Sequence, residues 1–491
     1  MSEQLRLAER LRRKICVDNK LITALTKEHL PVINPATLKE ISSIALCREA
    51  DIDMAVKSAV AAQKSWKKLS AQKRGSLMQA CGQIFKDHAD ELATLMSFES
   101  GKAIRTESRV ELSVIAETFS FYGGLALELK GETIPFNPEM LSFTLREPLG
   151  VIGAIIPWNV PLMLMAMKVA PALVAGNTVV LKPSPEATLV VMRSIELMNE
   201  ILPPGILNAI SGDGESGAIL VAHPHIAKVA FTGSVETGRK VYKNAAEKII
   251  PVTLELGGKS PMIICEDADL EKAVESAYEG MRFTRAGQSC SASTRLFVHD
   301  SIFNKFIDAM LKKLNQKTLG DPLDEKTDIG TIISQRQYDK IQQFIKMAED
   351  DKNLTIHWAS KLPESPHLQK GLFIRPALIT GLNNKNPICQ QEIFGPIAAV
   401  LPFKNLDEAI AGANDVEFGL AAGIWTRDLP AAMQAILALE AGFVQVNQYI
   451  VFRPSLPFGG FKHSGIGKEA SLDAMLENYT KVKTVIINMK N

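Results

Sequence analysis

The sequence has almost no excess charge: its net charge is +1, which removes any broad electrostatic case for nucleic acid or an anionic membrane surface as a partner. Cysteine is scarce and dispersed. Cys16, Cys47, Cys81, Cys265, Cys290 and Cys389 include no C-x-x-C and no paired spacing, so neither a disulfide framework nor a zinc site is expected, and no metal is assigned. Such thiols fit a reducing compartment, and a cytoplasmic location is expected. The start, MSEQLRLAERLRRKIC, lacks the apolar core of a secretory signal, and Glu3 and Glu9 speak against a transit segment, so an ordinary surface helix is expected. Internal repeats and low-complexity segments are also missing. Only LGVIGAIIPWNVPLMLMAM, residues 149–167, is uncharged over nearly membrane-spanning length. Pro157, Asn159 and Pro161 interrupt it, so a buried strand, a turn and a buried helix are expected instead of a span.

What is present is a long alternation of strands and helices. A chain of 491 residues is too long for one core, and two or three domains are expected. From about 149, LGVIGAII, NTVVLKPS, GILNAIS, KVAFTGS and PVTLELGG read as buried strands. The segments between them carry helical periodicity. After Gly258 a second series begins with SPMIICE and TRLFVHD and continues through IAAVLPF, LAAGIWT and FVQVN. This pattern predicts parallel sheets covered on both faces, an α/β class of doubly wound sheets. The two units meet near Gly257 and Gly258, where a crevice can form. The segments 132–148 and VKTVIINMK are strand-like but outside either series, and spare edges of this kind invite pairing with a second copy.

Ligands of open α/β sheets bind at the carboxyl ends of strands, so polar residues there are the candidates. FTGS sets Gly233 and Ser234 between strand and helix, where free backbone N–H groups favour a phosphate; alternatively Ser234 is only an N-cap. In KPSPE, Lys182 sits at a strand end and can reach ribose hydroxyls or phosphate, while Ser184 and Glu186 also read as an ordinary helix start. Glu255 ends an apolar strand before two glycines; buried, it would be a general base, and half exposed it would be nothing unusual. Asn159 offers an amide to a developing oxyanion or merely a turn. Cys290 lies among Gly287, Gln288, Ser289 and Ser291, small or polar neighbours unusual for core filler, yet a buried-core cysteine remains an alternative. The 8 histidines are scattered, which weakens a Cys-His protease reading.

PWN, KPS, FTGS, LELGGK, GQ-x-C, EIFGP and PFGG-x-K-x-SG occur in this order from about residue 30 to the C-terminus, and the set resembles the aldehyde dehydrogenase superfamily. The resemblance implies an NAD(P)-dependent enzyme that oxidises an aldehyde to the acid. Cys290 is then the nucleophile, Asn159 with the Cys290 N–H the oxyanion hole, and Glu255 the base that activates water. The cofactor contacts are expected from Lys182, Ser184, Glu186, Gly233, Ser234, Leu256, Glu392, Phe394, Ile155 and Trp158. Val160, Leu164, Met167, Phe283, Phe452 and Phe458 should line the aldehyde tunnel, an apolar set, with Arg453 beside it as an acid-tail contact or a solvated rim residue. Residues 1–128 and 149–258 are expected to form a Rossmann-like cofactor domain and 259–465 the catalytic domain. Residues 129–148 and 466–491 are expected as an oligomerisation arm and tail, giving a homodimer or homotetramer. In one respect the chain departs from the family. Many NAD-preferring members carry glutamate three residues after the matched lysine; here that place is Pro185, with Glu186 one later. NAD is expected, with NADP possible if Glu186 points away. A silent structural relative and a cofactor-independent esterase using Cys290 are the competing expectations.

Overall fold

The computed structural model describes residues 2–449 and 452–490. The chain opens with a helix, Glu3–Arg10, and the hairpin β1 (Lys14–Val17) and β2 (Lys20–Thr23). Helices follow at Glu49–Trp66, Ala71–Asp87, Ala89–Ser100 and Arg109–Gly124, then the long strand β3 (Met140–Pro148). The first alternating unit contains β4 (Val151–Ile156), β5 (Thr178–Pro183), β6 (Leu207–Ala209), β7 (Ile226–Thr232) and β8 (Val252–Glu255). The second contains β9 (Pro261–Ile264), β10 (Arg295–His299), β11 (Thr355–Trp358), β12 (Ala377–Thr380), β13 (Ile397–Phe403), β14 (Ala421–Trp425) and β15 (Phe443–Val446). The short β16 (Gly465–Ile466), a helix and β17 (Thr480–Asn488) close the chain.

Two sheets result. The first has the order β2-β1-β6-β5-β4-β7-β8-β16, and the second β11-β12-β13-β10-β9-β14-β15. From β6 to β8 the first is parallel, and from β12 to β15 the second is parallel. The central strands of the first sheet are buried because helices cover both faces: all six residues of β4 and of β5 are buried. The uncharged stretch after residue 149 resolves into β4, a turn and the helix Pro161–Val174, which begins with proline where no intrahelical donor is needed. Another run, Ile104–Glu128, has the length and apolarity of a membrane span among the described residues. Half of it is buried inside the protein; its helix Arg109–Gly124 packs on Ala71–Asp87 and Pro161–Val174.

Two features were not expected. The hairpin β1–β2 extends the first sheet past β6 through an antiparallel contact of Cys16 with Ala209. The helices Ala71–Asp87 and Ala89–Ser100 are separated only by a break at His88. Outside both sheets, β3 and β17 form a separate antiparallel ribbon in which Thr144 faces Thr484. One of its faces carries Leu141, Leu145 and Ile487, all exposed.

Candidate active site

In the first sheet the strand order reverses between β4 and β7, since β4 leads to β5 on one side while β6 leads back to β7 on the other. Ligands of such sheets lie outside the carboxyl ends at this switch point. Trp158 and Asn159 follow β4 there, Gly233 and Ser234 follow β7, and Glu255 ends β8. The second sheet faces the same crevice with its amino-terminal edge, where β9, β10 and β13 begin. Gly257 and Gly258 cross from one edge to the other. A Cβ on Gly257 would run into the Glu392 carboxylate, and one on Gly258 into the Cys290 carbonyl. Only glycine lets three segments approach this closely.

Cys290 sits on the loop between the helix Leu270–Gly280 and β10, half buried. Gln288 ties the loop down: its Nε2 donates to the carbonyls of Arg285 and Thr331, and its Oε1 accepts from Ile333 N–H at 3.0 Å. Gly287 at φ +70° lies flush against the Gly395 carbonyl, joining this loop to the one carrying Glu392 and Phe394. Burial pushes the Cys290 thiol up to about 12, with the charges of Glu392 and Glu255 adding to it. Both carboxylates therefore lie within electrostatic reach of the sulfur. The Cys290 N–H and the Asn159 side-chain amide have no hydrogen-bond partner among the described residues, although Asn159 is buried. Both donors are free to receive an oxyanion.

Glu255 is buried, and neither carboxylate oxygen is hydrogen-bonded among the described residues. Burial raises it well above the usual carboxylate range; the Glu469 charge acts in the same direction, and Lys168 and Lys468 oppose it. Glu469 itself is paired with Lys168 at 2.6 Å.

The cofactor-side candidates line up along the same edge. Lys182 is buried, donates to the Pro183 carbonyl at 3.0 Å, and is pushed down to about 8 by burial against the pull of Glu186 and Asp213. Ile155 and Lys182 both lie 3.7 Å from the position of a Cβ on Gly217. The Ser184 hydroxyl does not cap the helix as expected. It donates to Glu186 at 2.5 Å, and a 3-10 turn, Pro185–Ala187, intervenes. Gly233 N–H donates to the Glu255 carbonyl, and Ser234 caps the helix Val235–Ala246. The Val235 and Glu236 N–H groups of that helix have no protein partner among the described residues. Leu256 fills the space beside Gly238. Glu392 accepts from Gly258 N–H at 2.9 Å, and Phe394 meets Trp158 edge to face at 5.2 Å.

Val160, Leu164 and Met167 share one buried cluster, against which Phe452 and Phe458 pack; those two rings meet at 5.8 Å. Phe283 lies elsewhere. It is fully buried in the core of the second unit, stacked on Tyr278 at 6.0 Å, in a different cluster from the other five. Arg453 is exposed and paired with Glu117 at 3.2 Å.

Several supporting residues carry no local signal. Glu111 accepts the N–H groups of Leu162 and Met163, and Glu99 those of Leu189 and Val190. Each caps a helix that lacks a capping side chain of its own. Gln337 and Lys340 hold the carbonyls of Glu392, Ile393 and Phe394. Their helix, Gln335–Asp350, was readable from the spacing of Ile341, Phe344, Ile345 and Ala348.

The chain is similar to known proteins along nearly its whole length. The sequence model described as "Aldehyde dehydrogenase family" matches residues 22–485. The chain is 38% identical to retinaldehyde dehydrogenase 3 of Mus musculus over 97% of its own length and 93% of that protein. It is 37% identical to hydroxyisobutyraldehyde dehydrogenase of Mycolicibacterium austroafricanum, over 96% and 93%. The NAD+ complex of aldehyde dehydrogenase from Bacillus cereus superposes with a TM-score of 0.95 at 36% identity, covering 100% of this chain and 99% of that one.

Proposed function

Since the chain belongs to the aldehyde dehydrogenase family, we propose that it oxidises an aldehyde to the carboxylic acid with NAD, using Cys290 as nucleophile and Glu255 as the base that activates water. The observation that carries this reading is the Glu255 carboxylate: buried, without a hydrogen bond from the described protein, and within electrostatic reach of the Cys290 sulfur. A buried carboxylate with both oxygens unmet is costly, and a water held against it would relieve that cost.

The Cys290 thiol gives its proton to solvent, the resulting thiolate forms a C–S bond to the aldehyde carbon, and the carbonyl oxygen becomes an oxyanion that accepts from the Asn159 amide and the Cys290 N–H. The nicotinamide, when bound, supplies the hydride acceptor that turns this adduct into a thioester. Glu255 then takes a proton from water; the oxygen attacks the thioester carbon, the C–S bond breaks, and the acid leaves.

The residues present fit NAD. Glu392 keeps a second oxygen for ribose hydroxyls, the free N–H groups of Val235 and Glu236 suit the pyrophosphate, and Lys182 with Glu186 suits the adenosine ribose. Glu186 is drawn in by Ser184 and acts on Lys182, which supports NAD, because a 2′-phosphate there would meet a carboxylate. In Glu186→Ser, the ratio of kcat/KM for NAD to that for NADP is expected to fall about tenfold. An unchanged ratio removes Glu186 from cofactor choice.

Relatives of similar identity are named for aldehydes as different as a retinoid and a hydroxyisobutyraldehyde, so the substrate class must be read from the pocket. Val160, Leu164, Met167, Phe452 and Phe458 offer no charge and no cage of aromatic rings, which favours neutral aliphatic or aromatic aldehydes. A panel followed at the reduced-cofactor absorbance tests this; preference for a quaternary-ammonium aldehyde would overturn it. The domain roles and the pairing of the β3–β17 ribbon with a second copy belong to the same reading, supported by the ribbon's exposed apolar face.

A further inference from the structure

Four buried charges with no part in the reaction above form a strip between the Cys290 loop and the helix that follows Asn159. Glu107 receives Arg285 at two points, 2.7 Å to Nε and 2.6 Å to Nη2, and the Thr284 hydroxyl at 2.5 Å. The two side chains of this pair are 12% and 3% exposed. Lys102 pairs with Glu111 at 2.5 Å, and the other oxygen of Glu111 takes the first N–H groups of the helix Pro161–Val174. One short segment, 102–111, therefore grips both the turn leading to the nucleophile and the helix that follows the oxyanion donor.

Stability is a poor account of this arrangement, because buried ion pairs are often no better than apolar residues of the same volume. The turn itself explains the need. Arg282, Ala286 and Gly287 stand at φ +55°, +50° and +70°, and such a conformation at the two non-glycine residues persists only where the surroundings over-determine it.

We propose that Arg285, clamped by Glu107, is a positioning residue for Cys290, fixing the turn that carries the nucleophile and placing a guanidinium on that same turn. The proposal rests on Cys290 being the nucleophile. The titratable side chains acting on the sulfur are Glu392 before β13, Glu255 at the end of β8 and Arg285 on its own turn; Tyr449 after β15 feels the sulfur in turn. Both carboxylates push the thiol up, and Arg285 pulls it down, helped by the Ser291 N–H.

The test uses the full-length protein and two readouts: the pH midpoint of Cys290 alkylation by iodoacetamide, followed by peptide mass, and the rate of the first turnover with NAD and hexanal. In Arg285→Gln the midpoint is expected to rise by about one pH unit and the first turnover to slow about tenfold, with the KM for hexanal little changed. Arg285→Lys keeps the charge but loses the two-point grip, so its midpoint should match the wild type while its first turnover stays slow. Wild-type behaviour of Arg285→Gln, or an equal midpoint shift in Arg285→Lys, overturns the proposal. If Arg285→Gln does not fold, Arg285→Lys decides alone: a slow first turnover at an unchanged midpoint supports the proposal, and a wild-type rate overturns it. A wild type whose turnover survives Cys290→Ala defeats the underlying reading instead, so the two failures are distinguishable.

Discussion

Cys290→Ala is expected to lower aldehyde-dependent formation of reduced cofactor by about 10⁴-fold or more, because in the proposed reaction the covalent adduct forms on this sulfur. Among the other cysteines, Cys16, Cys47, Cys81 and Cys389 are fully buried in cores, and Cys265 lies past the far, carboxyl end of β9. None can replace the sulfur at the junction of the two sheets. The substitution removes a half-buried sulfur and no hydrogen-bond partner that the loop needs, since Gln288 and Gly287 hold it. Melting temperature and NAD binding should therefore stay near the wild type. Esterase activity should vanish in parallel, because it would use the same sulfur. Retained turnover with a correctly folded variant would falsify the assignment of the nucleophile.

Glu255→Gln should separate the two halves of the reaction. The first turnover should still produce a burst of reduced cofactor, after which steady-state turnover falls by about 10²–10⁴-fold, the range of a general base. Intact-protein mass should then show the acyl group on Cys290. In the wild type, kcat should rise with pH through the elevated Glu255 value, since only the ionised form removes a proton. Stability runs the other way. A carboxyl whose value is raised by folding contributes in full below its ordinary range, and that contribution is lost as pH rises through the folded value. Glu255→Gln keeps the shape without the charge, so its melting temperature should exceed the wild type's at alkaline pH. A variant that turns over normally and accumulates no acyl-enzyme overturns the base assignment.

The contrast between what could and could not be read from the chain follows sequence distance. Strands β4 to β8 were legible because largely apolar runs ending in Gly, Pro or Ser are local signals. Glu255 and Cys290 were legible as anomalies, a carboxylate in an apolar strand and a thiol among small polar residues. The Glu99 and Glu111 caps were not, because a glutamate that caps a helix 51 or 90 residues away has no pattern around it. The Ser184 reading failed for that reason: the local sequence looks like a helix start, but the cap comes from Glu99. Phe283 was expected at the tunnel from the resemblance alone; in the structure its ring stacks on Tyr278, five residues earlier.

The short strand β16 has a consequence for how the protein is made. It pairs with β8, Gly465 opposite Glu255, and Ser464 accepts Leu256 N–H and donates to the Gly257 carbonyl. The border of the first sheet beside Glu255 thus waits for residues synthesised about 210 positions later, roughly 10–40 s at ribosomal speeds of 5–20 residues per second. During that interval the nascent chain exposes an unpaired strand edge next to a carboxylate with no partner, which makes the emerging amino-terminal half the species that chaperones would meet.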